Sequence, residues 1–191
     1  MRKLTYFVSH SIDGYIAAPD GAYEHLMPYQ DVFHWMLAAC PETLPAPVHD
    51  AMGTKPEPKL YDTVVMGRAT YAPALEQGLV SPYPHLRQYV VTSSLTESPS
   101  PDVTLVPGDP VATVRALKAE EGERGIWLAG GAVLAGALLD EIDELVLKCY
   151  PVVAGAGIPL FRAGFRPVEF RFLGQESFPD GGRVATYVRN R

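Results

Sequence analysis

A chain of 191 residues, 47% apolar and 20% charged, is long enough to bury a core without disulfides or metals. Its formal net charge of −6 comes from interspersed acids and bases, which argues against a nucleic-acid surface, since that needs a clustered basic face. Glycine or polar residues break the apolar runs, so no segment is expected to span a bilayer, and Cys40 and Cys149 have no CxxC or Cys/His companion.

In chain order, MRKLTYFVSHSIDGYIA shows no long apolar stretch, so no signal peptide is read there, and KLTYFVS (3–9) alternates as a first strand. Residues 13–29 form a loop too long to be an idle connection. QDVFHWMLAA (30–39) is helical: Val32, Trp35 and Met36 share one face, as do Phe33 and Leu37. Five prolines between Cys40 and Pro58 (41, 45, 47, 56 and 58) mark a surface excursion. YDTVVMGRATYAPALEQG (61–78) reads as strand, glycine and helix; RQYVVTSSL (87–95) is a strand ending on hydroxyl residues; VTLVP (103–107) is a short strand. GDPVATVRALKAEEG (108–122) has Asp109 as N-cap, Pro110 at the first helical position and Gly122 past the end. GIWLAGGAVLAGALLDEID (125–143) runs from a strand through two glycines into a helix of small residues. DELVLKCYPVV (143–153) is a strand, and VEFRFLGQESF, PDGG and RVATYVRN make a hairpin. The pattern predicts one α/β domain, 1–191, with a mixed, mostly parallel sheet, flanking helices and a C-terminal antiparallel hairpin.

Three strand ends look alike. VVMGRATY ends on Gly67 and opens a helix with Arg68 and Thr70, VVTSSL ends on Thr92, Ser93 and Ser94, and WLAGGAV ends on Gly130 and Gly131. Ligands of open α/β sheets bind at the carboxyl ends of strands. Two glycine-started helices there could hold a pyrophosphate, and Arg68 with the serines a further phosphate. Each piece alone has a plainer reading as a turn, a cap or a surface cation. AGAGIPLF lacks the Walker lysine or GxGxxG spacing that would make it a phosphate loop, and no metal-ligand spacing is present among the five histidines.

The order SIDGYIA, VVMGRATY, VVTSS, WLAGGAVL and ELVLKCYPVV.G.GIPLF resembles the dihydrofolate-reductase-like superfamily. Within it, the chain is most similar to stand-alone bacterial proteins that resemble the reductase domain of the bifunctional riboflavin-biosynthesis enzyme. The resemblance implies an NADPH-dependent cytoplasmic reductase of a small heterocyclic or carbonyl substrate, like the pyrimidine reductase of riboflavin synthesis. It places Ile16 and Ala17 at the nicotinamide, Gly67, Arg68 and Thr70 at the phosphates and ribose, and Thr92, Ser93 and Ser94 at the adenosine side. Gly130, Gly131, Ala132 and Val133 would lie under the pyrophosphate. Some relatives carry a basic residue where this chain has Ala132, which leaves NADPH over NADH less secured. The resemblance also implies a homodimer paired near PVVAGAGIPLF.

On the substrate side, Asp31 lies where dihydrofolate reductases keep a substrate-binding acid, although an acid in the first turn of a helix also complements its dipole. Strand parity puts Val146, Lys148 and Tyr150 on one face. Lys148, where relatives place a small hydroxyl residue, could donate to a substrate carbonyl or pair with Asp31; the plainer reading is a lysine snorkelling from a solvent face. Two other readings stand beside the reductase: a dihydrofolate reductase, and a nucleotide-binding protein without chemistry.

Overall fold

The computed structural model describes residues 1–27 and 29–190; Pro28, in the long loop anticipated after the first strand, lies outside the described residues. Among the described residues, ten strands and five α-helices follow one another. β1 (Leu4–Ser11), β3 (Tyr61–Gly67), β4 (Arg87–Val91), β5 (Val103–Val106), β6 (Gly125–Gly130) and β7 (Glu144–Tyr150) are parallel neighbours in one sheet. β9 (Phe170–Ser177) and β10 (Arg183–Arg189) add the antiparallel hairpin, giving the order β5-β4-β3-β6-β1-β7-β10-β9. β2 (Tyr15–Ala17) pairs with β8 (Ile158–Pro159) apart from the main sheet.

Period-two alternation sends successive side chains of each strand into two separate cores. Phe7, Val64, Met66, Trp127, Val146 and Tyr150 point into one, where α1 (Gln30–Ala39), α2 (Ala46–Met52) and α3 (Arg68–Glu76) contribute Val32, Met36, Val48 and Tyr71. Tyr6, Val8, Val65, Leu128 and Leu145 point into the other, against Val114 and Leu117 of α4 (Pro110–Ala119) and Leu134 and Ala135 of α5 (Ala132–Ala137). The Asp109 carboxylate accepts from Val111 N–H at 2.8 Å, so the N-cap anticipated for α4 is made. α5 is built of small residues because a loop lies on it: a Cβ at Gly136 would sit 2.2 Å from the Arg162 carbonyl oxygen.

The 40–58 segment departs from expectation. Residues Pro41–Thr43 form a single 3₁₀ turn, α2 follows, and Cys40, Glu42, Thr43, Leu44 and His49 are buried. Prolines suggested a surface excursion, yet Pro45 precedes α2 and Gly53 closes it in a left-handed conformation, the usual boundaries of a helix. Burial of its polar residues is compensated except at Glu42 Oε2, which has no partner among the described residues. Glu42 Oε1 accepts from Leu60 N–H (2.6 Å) and Tyr61 N–H (2.8 Å), and the His49 ring nitrogens meet Thr54 Oγ1 and the Pro41 carbonyl.

Candidate functional site

The chain leaves β3 through α3 toward β4 on one side, and leaves β6 through α5 toward β7 on the other. Connections diverging from neighbouring parallel strands open a crevice at their carboxyl ends. Gly67 and the Gly130–Gly131 pair, joined by a cis peptide, face each other across it. Gly130 has φ +112°, a conformation that calls for glycine. Gly67 and Gly131 are different. Both have extended backbones, and a Cβ on Gly67 would come no closer than 3.6 Å to the Gly130 oxygen, or on Gly131 than 3.5 Å to Thr70 Oγ1. The fold thus has room for a side chain at both, and the glycines keep a cradle open. Neither α3 nor α5 has a side-chain cap over its first turn, so their leading N–H groups point to that cradle.

Arg68, the first residue of α3, has its Nε shielded from solvent and without a hydrogen-bond partner. It borders a hollow of about 270 Å³ with Thr92, Ser93, Ser94, Val106 and Gly108 at the ends of β4 and β5. Thr92 is structural: its Oγ1 accepts from Ser94 N–H (3.2 Å) and Leu95 N–H (3.1 Å), fixing the turn that presents Ser93 and Ser94 to solvent. Thr70 and Val133 are exposed at the rim, whereas Ala132 is buried and its carbonyl accepts from Arg162 N–H (2.9 Å). A hollow of similar size, about 280 Å³, lies at the opposite rim beside Arg2, Lys118 and Asp143, but there Lys118 is already ion-paired to Asp143 at 2.6 Å.

Ile16 and Ala17 lie on β2, the short strand that β8 holds. Asp13 secures this arrangement. Its carboxylate accepts from Ser11 Oγ (2.6 Å), Ala154 N–H (3.0 Å) and Gly155 N–H (2.7 Å), which keeps the acid down to about 2, the Ser11 hydroxyl contributing most. AGAGIPLF is thereby fastened to the loop that follows β1.

Lys148 does not face solvent. It is 7% exposed, and its Nζ lies 3.4 Å from Met36 Sδ and 4.1 Å above the Phe7 ring, beneath α1. Parity was right, but β7 is covered on both faces, which parity alone does not reveal. Burial pulls this amine down to about 8, with the Cys40 side chain acting in the opposite direction. Asp31 does not pair with it. Asp31 and Asp180 instead exchange hydrogen bonds: Asp31 N–H donates to Asp180 Oδ2 (3.1 Å), and Asp180 N–H to Asp31 Oδ2 (3.3 Å). Asp180 therefore satisfies the start of α1, and Asp31 the turn between β9 and β10. The PDGG turn signalled a hairpin, and nothing in the sequence tied it to residue 31. Among the described residues, no cluster of three or more His, Cys, Asp or Glu is placed to hold a metal ion, and no helix is long and apolar enough to cross a membrane.

A mixed sheet of this order, with flanking helices and an antiparallel hairpin, is the dihydrofolate-reductase-like architecture. Residues 2–182 match the RibD C-terminal domain, and the chain belongs to that family. It is 31% identical over 190 residues to the uncharacterized Bacillus subtilis (strain 168) protein YwjB, covering 98% of each chain. A Shewanella sp. PV-4 structure, described as a candidate riboflavin biosynthesis protein, is 27% identical with a TM-score of 0.70 and full coverage of both chains (100%). Enterococcus faecalis dihydrofolate reductase complexed with NADP(H) shares the fold at TM-score 0.63 and 16% identity, over 99% of this chain and 97% of that one.

Proposed function

We propose that this protein is an NADPH-dependent reductase that delivers hydride to a small heterocyclic or carbonyl substrate. The reading rests on one observation above others: Arg68 keeps a shielded, unpartnered Nε beside two glycine turns that the fold itself would let carry a Cβ. A group with two linked phosphates fits that cradle through backbone N–H donors, and a third phosphate fits Arg68, whose planar guanidinium suits phosphate oxygens. Ser93 and Ser94 stand beside it as further donors. In this assignment Gly67, Gly130, Gly131, Ala132 and Val133 border the pyrophosphate, Thr70 the adjoining ribose, and Ile16 and Ala17 the nicotinamide. When bound, the dinucleotide supplies the hydride. The chain's part is to hold it, exclude water and orient the acceptor, with Asp31 and Lys148 on the substrate side.

Folate reduction is the weaker reading, because Asp31 spends its carboxylate on the hairpin turn and a lysine occupies the neighbouring strand face. Titrating NADPH while following Trp127 and Trp35 fluorescence tests the cradle. Saturable quenching is expected in the native protein. In Gly67→Ala the same fold should persist by circular dichroism while affinity falls at least ~10-fold, about 1.4 kcal/mol. Equal affinity in both proteins, or no quenching in the native one, defeats the assignment.

A further inference from the structure

The feature least accounted for by folding alone is Lys148. A buried ammonium whose contacts are a thioether and an aromatic face is costly, and an apolar side chain of similar length in its place would add stability. The carboxylates on surrounding elements make their hydrogen bonds elsewhere, and only Glu42 Oε2 is left buried and unpartnered among the described residues. Asp31 accepts from Asp180 N–H, Glu176 from the Trp35 indole N–H at 2.9 Å, and Glu42 Oε1 from Leu60 and Tyr61 N–H. Among the described residues, Lys148 forms no ion pair.

Its position in the sheet matters as much as its isolation. Tyr6 is level with Leu128 and Ser9 with Lys148, so Lys148 stands three residues further along the sheet than Leu128, at the level of the glycine turn. Only β1 separates β6 from β7, which puts Lys148 two strand spacings, about 10 Å, from the cradle. It faces α1, on the side of the sheet from which α3 also reaches the crevice.

We propose that Lys148 is the substrate-orienting cation of this site, and that the substrate presents to it a carbonyl or ionised oxygen rather than a protonated heterocycle. The proposal rests on the reductase reading above and narrows its substrate class. Lys148 Nζ offers three N–H donors and a full charge inside an apolar shell of Phe7 and Met36. An oxygen that gathers negative charge as its carbonyl is reduced is stabilised most in such surroundings. An amidinium or protonated imine is repelled there.

Binding of 4-nitrophenol, followed below the phenol's own pKa, reads the site without turnover. The native protein should convert the bound phenol to its visible, ionised form. Lys148→Met should abolish that band, and Lys148→Gln, which donates without charge, should weaken it at least tenfold. A band that survives Lys148→Met, or is missing from the native protein, overturns the proposal. NADPH oxidation with an aromatic aldehyde, a dicarbonyl, a quinone and a dihydropterin gives the second measurement. Turnover of at least one of the three carbonyl compounds, lost at least tenfold in Lys148→Met with NADPH affinity unchanged, supports the proposal. Turnover of the dihydropterin alone, or of nothing while NADPH binds, overturns it. A phenolate band that depends on Lys148 in a protein that does not bind NADPH would uphold the oxygen site and defeat the reductase reading instead.

Discussion

The two rims of the sheet treat charge in opposite ways. Where the strands begin, the buried cations are engaged. Arg2, with its side chain 2% exposed, donates to Glu120, Thr63 and the Arg124 carbonyl at 3.0–3.1 Å and is ion-paired to Asp62. Lys118 joins Asp143 and the Glu141 carbonyl, and Arg189 donates to the carbonyls of Ile142 and Leu139. Where the strands end, Arg68 Nε has no partner and Lys148 has only soft ones. Both rims bury positive charge. The first uses it to hold the strands in register, and the second leaves it without an ion pair among the described residues. The proposed function assigns the cations of the second rim to a ligand and those of the first to the fold.

The contrast can be broken by experiment, and the largest effect is expected at the first rim. Arg2→Met deprives Asp62 of its ion pair and the Arg124 carbonyl of its donor, while Glu120 keeps Arg87, and should lower stability by about 3 kcal/mol in urea denaturation, leaving NADPH affinity untouched. A loss as small as that of an exposed arginine would erase the distinction. Lys148→Met should act with the opposite sign. An amine held at about 8 rather than 10.5 destabilises the fold below about pH 8, and the native protein should gain stability as pH climbs from there toward 10.5. At pH 7 the methionine variant should be more stable by about 2 kcal/mol, with the advantage shrinking at high pH. Thermal unfolding across that range checks both the sign and the window. The smallest effect is expected of Arg68→Met: stability within error of native, NADPH affinity down about tenfold and NADH affinity down less. Equal losses for the two nucleotides would detach Arg68 from the third phosphate.

How far these features were legible follows from the kind of signal each one leaves. Strand alternation, the Asp109-Pro110 cap and the glycine turns are local, and they yield the strands of the main sheet and the helices α1, α3, α4 and α5, but not β2, β8 or α2. Burial of Glu42 and His49 is not local. A carboxylate and an imidazole read as loop residues until their partners at 54, 60 and 61 are known. Pro45 and Gly53, at the two ends of α2, were the available warning. Lys148 fell between these cases: its face was readable from parity, and what covers that face was not. Asp31 could be placed on its helix, but its engagement by Asp180 joins positions 149 residues apart.

That last link fastens two distant parts of the chain to each other. Gly182 packs so closely on α1 that a Cβ there would lie 2.6 Å from Val32 Cγ2, and Val184 sits next to Lys148 across β7 and β10. The hairpin turn and the opening turn of α1 therefore brace each other, and any substitution that loosens one slackens the cover over Lys148 as well.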